Sequence, residues 1–270
     1  MHQSAAAVER REALEGGTDP AGLRDMVVFL DGCETLARTV EWTVGLAREH
    51  GAHLTGVLVD EEEPPGRVEK DPRAVFEATA RHHGIRWAWR RVSRRQAIDL
   101  ASFGPFADLA VVARRPWPRQ AVGRLALSEF LALVYGGPTV LFPPAGAAFP
   151  LRRIVVCWNA APDDTLPLGR AMPLLERAEG VEIVLVDRDT RPRWLETAAC
   201  TARDLACRGI AAQLRQLSSD SGGAGRALLT RAAAFGADLL VVGARARSQL
   251  YGSLPRAALA ETAVPVLMCR

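Results

Sequence analysis

Short aliphatic runs punctuate the chain: "DMVVFL" from 25, "GVLVD" ending at Asp60, "ADLAVVA" ending at Ala113, "TVLF" at 139–142, "RIVVC" from 153, "IVLVD" ending at Asp187, "ADLLVVG" ending at Gly243 and "PVLM" at 265–268. Val, Ile and Leu occupy consecutive positions in them instead of alternating with polar residues, which predicts parallel strands buried on both faces. Helical periodicity fills the intervals. In "LPLGRAMPLLERAE", Leu168, Ala171, Met172 and Leu175 form one stripe, with Pro167 in the first turn and Pro173 as a local conflict. In "AGRALLTRAAAFGAD", Leu228, Ala232 and Phe235 share a face, and Gly236 supplies a left-handed stop. The segment "WRRVSRR" (89–95), with Trp87 before it, alternates as a strand with one polar face. Alternating strand and helix predicts a doubly wound, Rossmann-like α/β fold.

The pattern occurs twice. Asp31 corresponds to Asn159, Asp60 to Asp187, Gly84 to Gly209, Asp108 to Asp238 and "TVLF" to "PVLM", all in the same order at a spacing of ~125–130 residues. This predicts a lead-in over 1–24 and two α/β domains over 25–145 and 151–270. In such sheets ligands lie beyond the carboxyl ends of the strands, which directs attention to the loops after Asp31 or Asn159 and after Ala113 or Gly243. Asp108 and Asp238, preceding buried strands, are expected to cap or initiate turns.

Composition removes several chemistries. Lys70 is the only lysine, and it lies in the polar run "DEEEPPGRVEKDPR", so neither a lysine-dependent phosphate loop nor Schiff-base chemistry is expected. All histidines (His2, His50, His53, His82, His83) precede residue 84, leaving the second half without a histidine base. The five cysteines form no C-x-x-C pair and read as reduced thiols, and Cys33 reads as a small turn residue. Cys200 and Cys207 share a helical face ~10 Å apart, too far for one metal. A net charge of +3 does not call for a nucleic-acid partner, and no apolar run approaches a membrane span or a secretory leader, so a cytoplasmic protein is expected.

The order "VVFLDG", "HLTGVLVD", "ADLLVVG", "GSLPRAALAETAVPVLM" resembles the universal stress protein (UspA) family, here as a tandem-domain member. The resemblance implies adenine-nucleotide α-hydrolase-like domains, pairing of the halves through "TVLF" and "PVLM", and a further homodimer. ATP-binding members of the family carry an aspartate after the first strand and a G-x2-G-x9-G-[S/T] loop after the fourth. Such a loop lets backbone N–H groups approach phosphate oxygens.

The second half keeps Gly243, Gly252 and Ser253, but Ala246 replaces the middle glycine, the loop is four residues short, and Asn159 replaces the aspartate. The first half keeps Asp31 and Gly32, yet Ala113 and Pro116 stand at the first two loop glycines. The candidate pocket therefore comprises Asn159, Asp187, Gly243, Arg245, Gly252 and Ser253. Arg245 and Arg247 read first as a solvated loop edge and second as phosphate ligands. Ser253 reads as phosphate ligand or helix N-cap, and the N-cap role alone would explain it. No nucleophile, base and orienting group assemble from these residues. The expected role is a non-catalytic stress-response binding or regulatory protein with an eroded nucleotide site and no cofactor, with a small nucleotide or metabolite as candidate ligand. The alternative is an ATP-binding member with slow hydrolysis.

Overall fold

The computed structural model describes residues 22–30, 35–60, 71–93, 95–97, 99, 107–113, 135, 137–157, 166–187, 192–218, 223–243 and 262–269. The strands are β1 (Asp25–Leu30), β2 (His53–Asp60), β3 (Arg86–Ser93), β4 (Leu109–Ala113), β5 (Thr139–Phe142), β6 (Arg153–Cys157), β7 (Gly180–Asp187), β8 (Ala212–Ser218), β9 (Leu239–Gly243) and β10 (Val266–Cys269). The helices are α1 (Leu36–His50), α2 (Pro72–His82), α3 (Leu166–Leu175), α4 (Pro192–Cys207) and α5 (Gly223–Phe235). The fold is α/β, with one mostly parallel sheet and alternating helices.

All ten strands lie in a single sheet of order β3-β2-β1-β4-β5-β10-β9-β6-β7-β8. Read outward from the centre, both halves follow the same order of fifth, fourth, first, second and third strand. Every pairing is parallel except the central one, where β5 and β10 run antiparallel with Val140 opposite Leu267. The two short central strands thereby cover each other's edges, and the aliphatic runs are buried on both faces as their sequences predict. One apolar cluster on each face of the sheet contains residues from both halves.

One sequence correspondence shifts by a residue. Ala110 N–H donates to Pro138 O and Leu240 N–H donates to Pro265 O, so the two prolines are equivalent. "TVLF" then matches "VLMC" and not "PVLM", because the backbone bond from the neighbouring strand fixes the register and the similarity of aliphatic side chains does not.

Local signals account for the helix ends. Asp71 accepts a hydrogen bond from Arg73 N–H at the start of α2, with Pro72 following it. Gly236 closes α5 at φ 70°. In α3, Leu168, Ala171 and Leu175 are buried, and the helix ends two residues after Pro173, before the last residues of the predicted helix. Trp87 and Trp89 of β3 are half-buried on Phe76 of α2, at ring-centroid distances of 6.0 and 5.3 Å. Gly56 of β2 lies directly beneath them. A β-carbon at this position would sit 2.8 Å from the Trp89 ring and 2.9 Å from Phe76, so Gly56→Ala is expected to destabilise the fold by ~1–3 kcal/mol in a urea titration.

Between β5 and β6, residues 143–152 form a strap across α1. Trp42 Nε1 donates to Ala148 O at 3.1 Å, and the Phe149 ring packs on Gly45, where a β-carbon would approach it to 3.2 Å. At the starts of the halves, Asp108 accepts from Arg24 and Asp25 N–H, and Asp238 from Arg152 and Arg153 N–H. Each aspartate thus ties the head of a fourth strand to the head of its neighbouring first strand, a cross-strand link in place of the expected local turn.

Candidate functional site

In the second half the chain winds from β6 outward to β7 and β8 on one side, while β9 and β10 lie on the other. The crevice between the carboxyl ends of β6 and β9 is therefore the switch point at which open α/β sheets bind ligands. Gly243 ends β9 opposite Cys269, one position beyond Val242, whose partner is Cys157 at the end of β6. The glycine stands on the rim of the crevice. Asp187 ends β7 opposite Ser218, with β6 between it and Gly243. The structure thus brings Gly243 to the crevice and sets Asp187 one strand further out. Asn159, Arg245, Gly252 and Ser253 lie outside the described residues, as do Asp31, Cys33, Ala246 and Arg247.

Cys269, opposite Gly243, is a buried thiol. Burial pushes the Cys269 thiol up to about 12 against a small opposing pull from Arg170, so it stays protonated at neutral pH. Among the described residues no cluster of three His, Cys, Asp or Glu could hold a metal ion. Cys200 and Cys207 are both exposed on α4, and Arg203 donates to Cys200 Sγ at 3.1 Å.

The corresponding edge of the first half differs by one charge. Arg91 Nε lies 2.9 Å from each oxygen of Asp60, and that hydrogen bond raises the arginine's pKa. Arg91 stands opposite Leu58, and Asp60 opposite Ser93. The second half repeats this register, with Gln216 opposite Leu185 and Asp187 opposite Ser218. A neutral amide therefore takes the place of the cation. The difference is visible in "RRVS" against "RQLS" once the repeats are aligned, but its meaning depends on the register.

The carboxylates tying the strand heads stand at the opposite edge of the sheet from this crevice. Burial raises the Asp238 pKa, opposed by hydrogen bonds from the backbone N–H groups of Arg152 and Arg153. An open cleft of ~1260 Å³ lies between α1 and the strap, lined among others by Arg38, Glu41, Trp42, Arg48 and Phe149. Arg38 leans on the strap carbonyls of Pro144 and Ala145, and His83 Nε2 lies 2.9 Å from Glu41. Arg38, Glu41 and His83 of the cleft thus have protein partners. Sequence reasoning missed Glu182 of β7, which is fully buried. A carboxylate set among the aliphatic residues of "GVEIVLV", and not at the strand's end as Asp187 is, was the available signal.

No protein-family model matches the sequence, and no curated protein matches it either. Solved structures do match. A universal stress protein from Archaeoglobus fulgidus superposes with a TM-score of 0.70 at 14% identity, covering 91% of this chain and 96% of that one. A functionally unknown protein from Pseudomonas aeruginosa PAO1 superposes with a TM-score of 0.61 at 14% identity, covering 92% and 93% respectively. Coverage of this extent runs through both halves of the sheet, and the chain therefore has the α/β fold seen in a universal stress protein.

Proposed function

We propose that the chain is a tandem universal stress protein acting in the cytoplasm as a non-catalytic binding or regulatory protein, with a second copy of itself as a further partner. The observation that carries this reading is the internal repetition: strand order, the prolines before β5 and β10, and the Asp108 and Asp238 ties recur in both halves. No helix among the described residues is long and apolar enough to cross a membrane. The loss of ordinary ATP binding rests on Ala246, the shortened loop and Asn159 in the second half, and on Ala113, Pro116 and the Asp60–Arg91 pair in the first. The second reading, an ATP-binding member with slow hydrolysis, is favoured by Gly243 on the rim of the crevice, with Gly252 and Ser253 following in sequence.

Melting curves with ATP, ADP and AMP plus magnesium separate the two. A ligand at a hundred times its dissociation constant stabilises by ~2.7 kcal/mol, a visible shift, and the eroded-site reading expects no shift. A clear rise with any nucleotide favours the second reading. In that case Arg245→Ala and Gly252→Val should each reduce the shift, and an unchanged shift in both would displace the pocket from this loop.

A further inference from the structure

Among the described residues, Glu182 is the one charged side chain that is fully buried. Arg231 of α5 grips it with two hydrogen bonds, Nε to Oε2 at 2.7 Å and Nη2 to Oε1 at 2.6 Å, and Arg215 of β8 adds Nε to Oε1 at 3.2 Å. Its cross-strand neighbours are Val155 of β6 and Gln213 of β8, and Gln213 accepts from Arg215. The charged groups facing the carboxylate are therefore the two arginines. The only other charged residue of α5 is Arg226, which is exposed. Arg153 of β6 donates to Phe235 O at the end of α5, a bond indifferent to acid because arginine stays charged.

Beside these hydrogen bonds, α5 meets the sheet through the buried side chains of Leu228 and Ala232, with Leu229 and Phe235 packed part-way. One buried carboxylate thus joins α5, β7 and β8 through charged hydrogen bonds. We propose that Glu182, Arg231 and Arg215 form an acid-sensitive latch, so that protonating Glu182 loosens α5 from the sheet before the rest of the fold gives way. A protonated carboxyl presents an O–H donor to two guanidinium groups that are donors only, and leaves two positive charges without their shared counter-charge.

Burial pushes the Glu182 pKa up, but hydrogen bonds and charge from Arg231 and Arg215 outweigh it and hold the carboxyl below its usual range. The latch is therefore closed at neutral pH and opens only below the ordinary carboxylate range.

Hydrogen exchange of the whole chain, corrected for the intrinsic pH dependence of exchange, tests this with α1 as internal reference. Between pH 7 and pH 3, exchange in α5 relative to α1 should rise by at least about tenfold, the factor that one pKa unit of differential interaction carries. In Glu182→Gln that ratio should already be raised at pH 7 and should not change with acid. The pair Glu182→Leu with Arg231→Met should give a ratio flat with pH. Loss of protection in α1 and α5 together in the unmodified protein would overturn the latch. So would an unaltered acid response in either variant. The comparison in the unmodified protein decides the matter even if a variant fails to fold.

Discussion

Trp42→Ala is expected to lower the unfolding free energy by ~3–5 kcal/mol, the range for deleting a large aromatic from a packed core. Trp42 is 3% exposed, its ring lies 5.4 Å from that of Phe142, and its indole N–H is the direct tie from α1 to the strap at Ala148. The residue does two jobs, and a second variant separates them. Trp42→Phe keeps an aromatic ring but loses the donor; the Ala148 carbonyl lies on an exposed residue and can turn to water, so the cost should be ~1 kcal/mol. Urea titrations that move the midpoint without changing the slope would place both effects in the folded state. Equal losses in the two variants would mean that the hydrogen bond and not the packing dominates, contrary to what the burial of the ring implies.

The strap also shows where the sequence stops being informative. The strands were legible because burial on both faces demands unbroken aliphatic runs, and the repeat was legible because landmarks such as Gly84 with Gly209 and Asp108 with Asp238 serve the same backbone need in each half. The aspartates were visible as a pair, but their role was not, since the groups they bind are 83 to 86 residues away in sequence. The strap has no periodicity. Its position depends on Gly45 offering no β-carbon beneath Phe149, which is a fact about two elements in contact. The alignment of "TVLF" with "PVLM" slipped by one for a related reason: four aliphatic side chains are interchangeable, whereas a proline carbonyl accepting from the neighbouring strand is not.

At the candidate site, the position of Gly243 could be read because it ends an aliphatic run that has the length of a buried strand. Gly243 accordingly stands at the carboxyl end of β9, on the crevice. The charge difference between the halves was harder to see. Arg91 and Gln216 become informative only when the register sets them beside Asp60 and Asp187 on neighbouring strands. Glu182 was hardest, because its partners lie 33 and 49 residues further along the chain.

Glu182→Ala is the other substitution with a large expected effect. Breaking a buried ion pair by removing one member typically costs ~3–5 kcal/mol, because the survivor is left uncompensated. Here Arg231 and Arg215 both reach water in part, with side chains 29% and 52% exposed, so the lower end of that range applies. The pH dependence has a definite sign. A carboxyl whose folded pKa is depressed binds protons more readily in the unfolded chain, so its stabilisation is complete above the unfolded value and disappears as pH falls through the folded one.

Stability measured by denaturant from pH 7 downward should therefore fall less steeply in Glu182→Ala than in the unmodified protein, and the two curves should converge in acid. Replacing the pair with apolar groups, Glu182→Leu with Arg231→Met, should restore most of the neutral-pH stability, since well-packed apolar substitutes for buried ion pairs are often neutral or better. If the single and double variants lose the same stability at pH 7, an uncompensated Arg231 charge is not the source of the loss. If the curves stay parallel into acid, Glu182 contributes no proton-linked stability.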